Sequence, residues 1–362
     1  MSDIMAPGPV KLRIGHTDRD EGSGGIYEHL NPVTQDVQAT FPLAGKKEID
    51  EAVEKAESAR EAWRTTPPES RRAMLLKLAD LIEQNAEAFA QRGAVDGGTP
   101  LINGLRMVET SVAWARYYAG WCDKLSGELV STLDTRGEFA YTMPEPKGIV
   151  GIIITWNGPL ISLCMKVVPA LAAGNCCVIK PAELTPFAPD LFATLCREAG
   201  IPDGVVSILP GTGEAGQALV AHPKVSLISF TGGPVTARKI MMSCAQHIKP
   251  SIMELGGKSA SLLFPDVDIQ AACQRAIFWT IGIMAGQGCA LPTRLLVHED
   301  IFDETLETLK AIASQFKVGD PFEAGVLVGP VINSAARDRI MAMLETVKSN
   351  GDGRIVMGGN LC

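Results

Sequence analysis

The chain has 362 residues, of which 46% are hydrophobic and 20% charged, and it carries a net charge of −8. At about 150 residues per domain, this length predicts two or three domains with large cores. The composition excludes predominant disorder. The acidic balance argues against nucleic acid or an anionic membrane as a partner, because neutralising phosphates requires clustered Lys and Arg.

The nine cysteines and five histidines show no C-x-x-C or H-E-x-x-H spacing, so we expect no metal site. An odd number of cysteines without repeated spacing also argues against a disulfide framework. The N-terminus lacks the pattern of a signal peptide. The most apolar stretch, residues 159–179, contains two prolines, a lysine and an asparagine, which is unlike a membrane span. These features predict a reduced, cytoplasmic protein.

The first part of the chain is predicted to be mainly helical. Residues 1–45 indicate irregular chain with short strands, and apolar residues then recur on one face of three successive helices. A β-hairpin is predicted over residues 126–147, with a polar turn at residues 134–137. The three helices are predicted near residues 49–63, 68–91 and 105–125.

From residue 148 to residue 255, short apolar runs alternate with helical patterns. This alternation predicts an α/β fold with a doubly wound parallel sheet, which binds ligands at the carboxyl ends of its strands. A smaller α/β unit follows. The strands are predicted at 149–154, 176–179, 205–209, 225–230 and 252–255, with helices at 159–173, 187–199, 213–221 and 234–247; the second unit has strands at 259–264 and 294–298, and helices at 268–284, 300–316 and 334–349.

Cys289 is a candidate nucleophile because its neighbours in Gly-Gln-Gly-Cys (286–289) are small and leave the sulfur accessible. From this position alone, an inert loop cysteine is the more common alternative. The other eight cysteines lie mostly in apolar runs and are interpreted as small core residues.

Two further residues follow predicted strands of the sheet. Glu254 ends an apolar run, where burial would raise the pKa of its carboxyl toward neutrality and suit it to act as a general base. The alternative is a carboxylate held by Lys258 or by solvent. Asn157 could donate to a developing oxyanion, or could simply form a turn before Gly158.

Nucleotide binding is suggested by the loops after three other strands. Lys180 and Glu183 suit the hydroxyls of a nucleotide ribose, although both could equally belong to a solvated surface. Two glycine-rich turns, at residues 211–216 and 230–233, would bring backbone N–H groups close to phosphates. Neither turn matches the G-x-G-x-x-G fingerprint in full.

In this order, the motifs resemble those of the aldehyde dehydrogenase superfamily, and the resemblance extends from about residue 30 to the end of the chain. The strongest matches are Glu-Leu-Gly-Gly-Lys-Ser (254–259) and Gly-Gln-Gly-Cys (286–289) with Thr293 and Arg294. Further matches are Trp156-Asn157, Lys-Pro-Ala-Glu (180–183) and Phe-Thr-Gly (230–232).

The resemblance implies oxidation of an aldehyde to a carboxylic acid with a nicotinamide cofactor. In this scheme the Cys289 thiolate attacks the carbonyl, Asn157 holds the oxyanion, and Glu254 activates the water that hydrolyses a thioester. Lys180 and Glu183 hold the adenosine ribose, and Glu183 favours NAD over NADP by repelling a 2′-phosphate. The remaining residues implied in cofactor binding are Thr155, Trp156, Gly213, Thr231, Gly232, Gly233, Leu255 and Gly256.

The chain departs from the family pattern at several motif positions. Thr155 stands where the family usually has a proline and Gly158 where it has an aromatic residue, which would widen the site. Gly233 replaces a serine that would reach the pyrophosphate, and Pro234 and Ala237 depart as well.

The resemblance also implies a domain organisation. Residues 1–125 and 148–255 would form an NAD-binding domain, 126–147 an oligomerisation hairpin, and 256–362 an incomplete catalytic domain. A full-length member continues past residue 362, with a Glu-Ile-Phe-Gly-Pro motif and a strand that pairs with a partner subunit. We therefore expect a weakened homodimer or homotetramer. The alternative function is a catalytically weak NAD-binding or interaction protein descended from such an enzyme.

Overall fold

The computed structural model describes residues 8–132 and 137–361, so most of the turn predicted at 134–137 lies outside the described residues. The chain begins with short strands, as predicted. The pairs β1–β2 and β3–β4 are each antiparallel. Their bounds are β1 (Leu12–Ile14), β2 (Thr17–Arg19), β3 (Ile26–Leu30) and β4 (Val37–Pro42).

Four helices follow where three were predicted, so the single helix predicted over residues 68–91 is wrong. Its interruption is at Asn85, whose side-chain Nδ2 donates to the carbonyl of Leu81 at 2.8 Å. Asparagine side chains that bond to nearby backbone compete with helix continuation, and a new helix begins at the next residue. The helices are α1 (Lys46–Thr65), α2 (Pro68–Gln84), α3 (Ala86–Gly97) and α4 (Leu101–Ala119).

The predicted hairpin contains two short strands, β5 (Leu129–Val130) and β6 (Ala140–Tyr141), which pair antiparallel. Its apolar side chains face solvent, and Leu129 is 72% exposed. Its role in oligomerisation stays a prediction.

The predicted doubly wound parallel sheet is confirmed. Five parallel strands alternate with four helices, and β1 and β2 extend the sheet antiparallel, giving the order β11-β10-β7-β8-β9-β1-β2. The elements are β7 (Ile149–Ile153), α5 (Pro159–Ala172), β8 (Cys176–Lys180), α6 (Phe187–Glu198), β9 (Val206–Ile208), α7 (Gly213–Ala221), β10 (Val225–Gly232), α8 (Pro234–Gln246) and β11 (Ser251–Leu255).

The main core lies at the centre of this sheet. Every residue of β7 and β8 is buried, because these strands have neighbours on both sides and helices on both faces. By contrast, β11 is an edge strand and is mostly exposed.

The second α/β unit is present, with β12 and β13 paired in parallel. The helix predicted over 268–284 ends at Ile277 and continues as a π-helical turn, Phe278–Gly282. It cannot continue as α-helix because Met284 and Ala285 adopt positive φ angles of 56° and 49°. The bounds are β12 (Ala260–Leu263), α9 (Ile269–Ile277), β13 (Arg294–Val297), α10 (Phe302–Ala313) and α11 (Ser334–Asn350).

Candidate active site

The predicted site residues gather at the carboxyl edge of the sheet. The strand register places Ile153 beside Lys180 and beside Phe230, and places Thr231 beside Glu254. The loops that leave β7, β8, β10 and β11 therefore start at the same level. Since the carboxyl ends of parallel strands form one edge, the candidate residues after these strands share one side of the molecule.

Asn157 connects this edge to the loop that carries Cys289. Its Nδ2 donates to the backbone carbonyl of Gln287 at 2.7 Å. The hydroxyl of Thr155, a residue implied in cofactor binding, donates to Oδ1 of Asn157 at 2.6 Å. The side chain of Asn157 is thus held by hydrogen bonds at both ends of its amide.

Cys289 is exposed, whereas Cys122, Cys164, Cys176, Cys177, Cys196, Cys244 and Cys273 are buried free thiols. The interpretation of these seven as core residues is confirmed, while Cys362 lies outside the described residues. Burial raises the pKa of the Cys176 thiol to about 12, which leaves it protonated and unreactive at neutral pH. Among the cysteines that the structure describes, Cys289 is therefore the one accessible to a reagent.

Gln287 secures the loop that carries Cys289. Its side-chain Nε2 donates to the carbonyl of Met284 at 3.2 Å, and its Oε1 accepts the backbone N–H of Ile332 at 2.9 Å. Left-handed backbone angles at Met284 and Ala285 turn the chain sharply just before this residue. The prediction from sequence did not single out the side chain of Gln287, because Ile332, the partner of its Oε1, is 45 residues away in the chain.

Glu254 lies near the end of β11, as predicted, but the expectation that it is buried is wrong. Its side chain is exposed because β11 is the edge strand of the sheet. Burial therefore gives no support to a role for this carboxylate as a base. The described ion pairs include none between Glu254 and Lys258, so of the alternatives considered the structure favours contact with solvent.

Lys166 is a buried lysine that the prediction from sequence did not single out. Its Nζ donates to the hydroxyl of Ser229 at 2.9 Å. Burial lowers the pKa of Lys166, and the charges of Glu254 and Cys289 oppose this shift. Lys166 is therefore within electrostatic range of both candidate catalytic residues. A lysine inside the most apolar stretch of the chain was the available signal.

Lys180 and Glu183 form an ion pair after β8, with 3.6 Å between Nζ and Oε2. Nζ of Lys180 also donates to the carbonyl of Gly211 at 2.5 Å, which ties the loop after β8 to the loop after β9. Burial lowers the pKa of Lys180, and Glu183 opposes this shift. The carboxylate of Glu183 retains partial exposure, and so remains free to accept hydrogen bonds from a ligand.

Both predicted glycine-rich turns open helices, since α7 begins at Gly213 and α8 follows Gly233. Apart from the adjacent chain and the helix's own backbone, no atom lies within 4 Å of where a Cβ would stand at Gly213, Gly233 or Gly256. The hydroxyl of Thr231 is buried and has no hydrogen-bond partner among the described residues. Open backbone at the N-termini of α7 and α8, with an unpaired hydroxyl three residues before α8, fits a ligand with phosphate groups.

Three further residues implied in cofactor binding lie at the ends of these strands or in the loops after them. Trp156 lines a cavity with Asn157 and the ends of α3 and α4, and Leu255, the last residue of β11, is 40% exposed. Gly232, the last residue of β10, could not carry a side chain without moving the ring of Phe230, which lies 2.3 Å from an added Cβ.

Residues 8–132 and 137–361 contain no group of three or more His, Cys, Asp or Glu side chains arranged to hold a metal ion. In the same ranges no helix is long and apolar enough to cross a membrane.

Comparison with known proteins identifies the family. The aldehyde dehydrogenase family model matches residues 19–361. An aldehyde dehydrogenase of Alternaria alternata is 38% identical over 359 residues, covering 97% of this chain and 71% of the relative. Aldehyde dehydrogenase 1 of Tanacetum cinerariifolium is 39% identical over 361 residues, covering 97% and 70%.

The fold agrees with these matches. The NAD⁺ complex of an aldehyde dehydrogenase from Bacillus cereus superposes with a TM-score of 0.94 at 35% identity, covering 98% of this chain and 72% of that one. From the motifs, the fold and these relatives together, we conclude that the chain belongs to the aldehyde dehydrogenase family.

Proposed function

We propose that this protein oxidises an aldehyde to a carboxylic acid with NAD, using Cys289 as the nucleophile. The observation that carries the proposal is the 2.7 Å hydrogen bond from Asn157 to the carbonyl of Gln287. It holds an amide donor, suited to an oxyanion, beside the loop in which Cys289 follows two residues later. Cys289 is also exposed, as a nucleophile that meets a soluble aldehyde must be.

In the proposed reaction the sulfur of Cys289 bonds to the carbonyl carbon, and Asn157 donates to the oxygen that becomes negative. NAD, when bound, supplies the hydride acceptor. Glu254 takes a proton from the water that attacks the resulting thioester, and the acid leaves as the Cys289 thiolate is restored. Lys166 supports this arrangement as a cation in electrostatic range of both Glu254 and Cys289.

The choice of NAD rests on the loop after β8. Glu183 would accept hydrogen bonds from the ribose hydroxyls and would repel the 2′-phosphate of NADP, while Lys180 holds the carboxylate at 3.6 Å. Thr231, Gly232 and Gly233 would lie beside the pyrophosphate, and the buried hydroxyl of Thr231 lacks a partner among the described residues. The similar Bacillus cereus enzyme is an NAD⁺ complex.

The test is to mix the purified protein with NAD and a panel of aldehydes, and to follow NADH absorbance. We expect turnover that disappears in Cys289→Ala and persists in Cys244→Ala. The second variant is the matched control, because it also removes one thiol but does so at a residue of α8 that is only 2% exposed. Binding of NAD without turnover of any aldehyde would instead favour the alternative, a catalytically weak NAD-binding protein.

We also propose an organisation and a location for the protein. The strands of the large sheet lie within residues 1–125 and 148–255, the proposed NAD-binding domain. β12 and β13 lie within residues 256–362, the proposed catalytic domain. The predicted hairpin would contact a second copy of the chain through its described apolar side chains, such as Leu129 and Phe139, which are exposed. Analytical ultracentrifugation of a hairpin variant tests this contact. Seven buried free thiols suit a reducing cytoplasm.

A further inference from the structure

We propose that Thr155 is a positioning residue, which fixes the amide of Asn157 in the orientation needed to bind the oxyanion. This inference rests on the proposed function, because it assigns Thr155 a part in the attack by Cys289. The geometry behind it is the short chain of hydrogen bonds from Thr155 through Asn157 to the backbone of Gln287.

The hydrogen bonds leave a single donor on Asn157. A side-chain amide has one acceptor oxygen and two N–H donors. Oδ1 accepts the hydroxyl of Thr155 at 2.6 Å, and one N–H donates to Gln287 at 2.7 Å. A backbone carbonyl can only accept, so Nδ2 must face Gln287 and Oδ1 must face Thr155. One N–H of Asn157 remains for a ligand.

Two bonds at opposite ends of a planar amide also fix its rotation. The bond to Gln287 holds the nitrogen end, and the bond from Thr155 holds the oxygen end. The remaining N–H of Asn157 is therefore aimed before any substrate arrives, which is how a donor stabilises developing charge without reorganisation. Without the Thr155 hydroxyl, the oxygen end loses its anchor and the amide can turn about the bond to Gln287.

The experiment compares two reactions of Cys289 that differ in whether an oxyanion forms. With p-nitrophenyl acetate, the sulfur bonds to the carbonyl carbon through a tetrahedral oxyanion, the C–O bond breaks, and p-nitrophenolate leaves. With iodoacetamide, the sulfur displaces iodide at a saturated carbon and no oxyanion forms. The ratio of the two rates isolates oxyanion binding from access to the thiol.

We expect Thr155→Val to lower the ratio of acylation to alkylation by about threefold to tenfold, the range for one positioned hydrogen bond. Thr155→Ser keeps the hydroxyl and should restore the ratio. Thr185→Val is the matched control, since Thr185 lies in the cavity beside Asn157 and its buried hydroxyl has no partner among the described residues. This control should leave the ratio unchanged.

The result that overturns the proposal is a Thr155→Val protein with the wild-type ratio. The proposal also fails if Thr155→Val lowers the ratio equally in an Asn157→Ala background, where no amide remains to be positioned. Failure of the proposed function looks different: the wild-type protein would then release p-nitrophenolate no faster than Cys289→Ala, which refutes both ideas together.

Discussion

Asp96 anchors the helix that follows the proposed ribose-binding loop, so its removal is the most direct test of how that loop is supported. It lies in the last turn of α3 and is 2% exposed. Its carboxyl oxygens accept the backbone N–H groups of Phe187 and Ala188 at 3.3 and 3.2 Å. These are the first residues of α6, whose own N-cap residue provides no side-chain acceptor.

The magnitude follows from the groups left unpaired. Asp96→Ala removes the acceptor for two buried N–H groups, each of which costs about 1–3 kcal/mol when unsatisfied. Relief from burying a carboxyl offsets part of this cost. We therefore expect the free energy of unfolding to fall by about 2–4 kcal/mol. Asp96→Asn keeps one acceptor oxygen and should lose about half as much.

The pH dependence provides a second readout. Burial raises the pKa of Asp96 well above its ordinary value of 3.8, and its bonds to Phe187 and Ala188 and the charge of Arg92 oppose this shift. His29 also faces Asp96, at 3.7 Å. The folded protein therefore binds the proton of the Asp96 carboxyl more tightly than the unfolded chain does. The stability that this protonation provides is fully present below pH 3.8, the ordinary pKa of Asp, and is lost as the pH rises through the higher pKa of the folded state. Asp96→Asn cannot ionise and should not show this loss.

The assay is urea unfolding followed by circular dichroism, at about pH 4 and about pH 7, for the wild type and both variants. An Asp96→Ala protein that unfolds at the wild-type urea concentration would refute the anchoring role of the carboxyl. The wild type should lose stability relative to Asp96→Asn between about pH 4 and about pH 7. If it does not, the expected pH dependence is refuted.

Three other predictions follow from single contacts. Glu183→Gln should improve the binding free energy of NADP relative to NAD by about 2–3 kcal/mol, because it removes the repulsion between a carboxylate and a nearby 2′-phosphate in a hydrated site. Fluorescence titrations that show an unchanged preference would contradict this prediction. Iodoacetamide should label Cys289 before the buried Cys176, as peptide mass spectrometry can determine, and the reverse order would refute the assignment of accessibility. Lys249→Met should destabilise the protein by about 1–2 kcal/mol in urea unfolding, because Nζ bonds the carbonyls of Val220 and His222 at the end of α7; an unchanged midpoint would show that solvent replaces these bonds.

Much of the sheet could be predicted because its signals are local. The runs at 149–154 and 176–179 are almost wholly apolar and bounded by loop-forming residues, and they form the buried strands β7 and β8. Glycines before α7 and α8 likewise marked the start of those helices. By contrast, the break at Asn85 was missed because an amphipathic pattern continues through it, while a single side-chain bond to Leu81 ends the helix.

The sequence motifs named the candidate site residues but did not predict their surroundings, and the catalytic roles of these residues stay predictions. Glu254 and Cys289 were identified by their motifs, but burial depends on which strand lies at the edge of the sheet, and strand order is set by packing between distant segments. Lys166 and Gln287 act through partners that are 63 and 45 residues away in sequence. No local pattern reports contacts of this kind.

By itself, the sequence determined the alternation of strands and helices, the loops in which functional residues stand, and the motifs that resemble the family, because each depends on residues close together in the chain. Only the tertiary structure decided that β11 is an edge strand that exposes Glu254, that Lys166 lies within range of both candidate catalytic residues, and that Thr155 and Gln287 hold the two ends of the Asn157 amide. The physical reason is that exposure and hydrogen bonding depend on neighbours in space, and these come together only when the strands pair and the helices pack against the sheet.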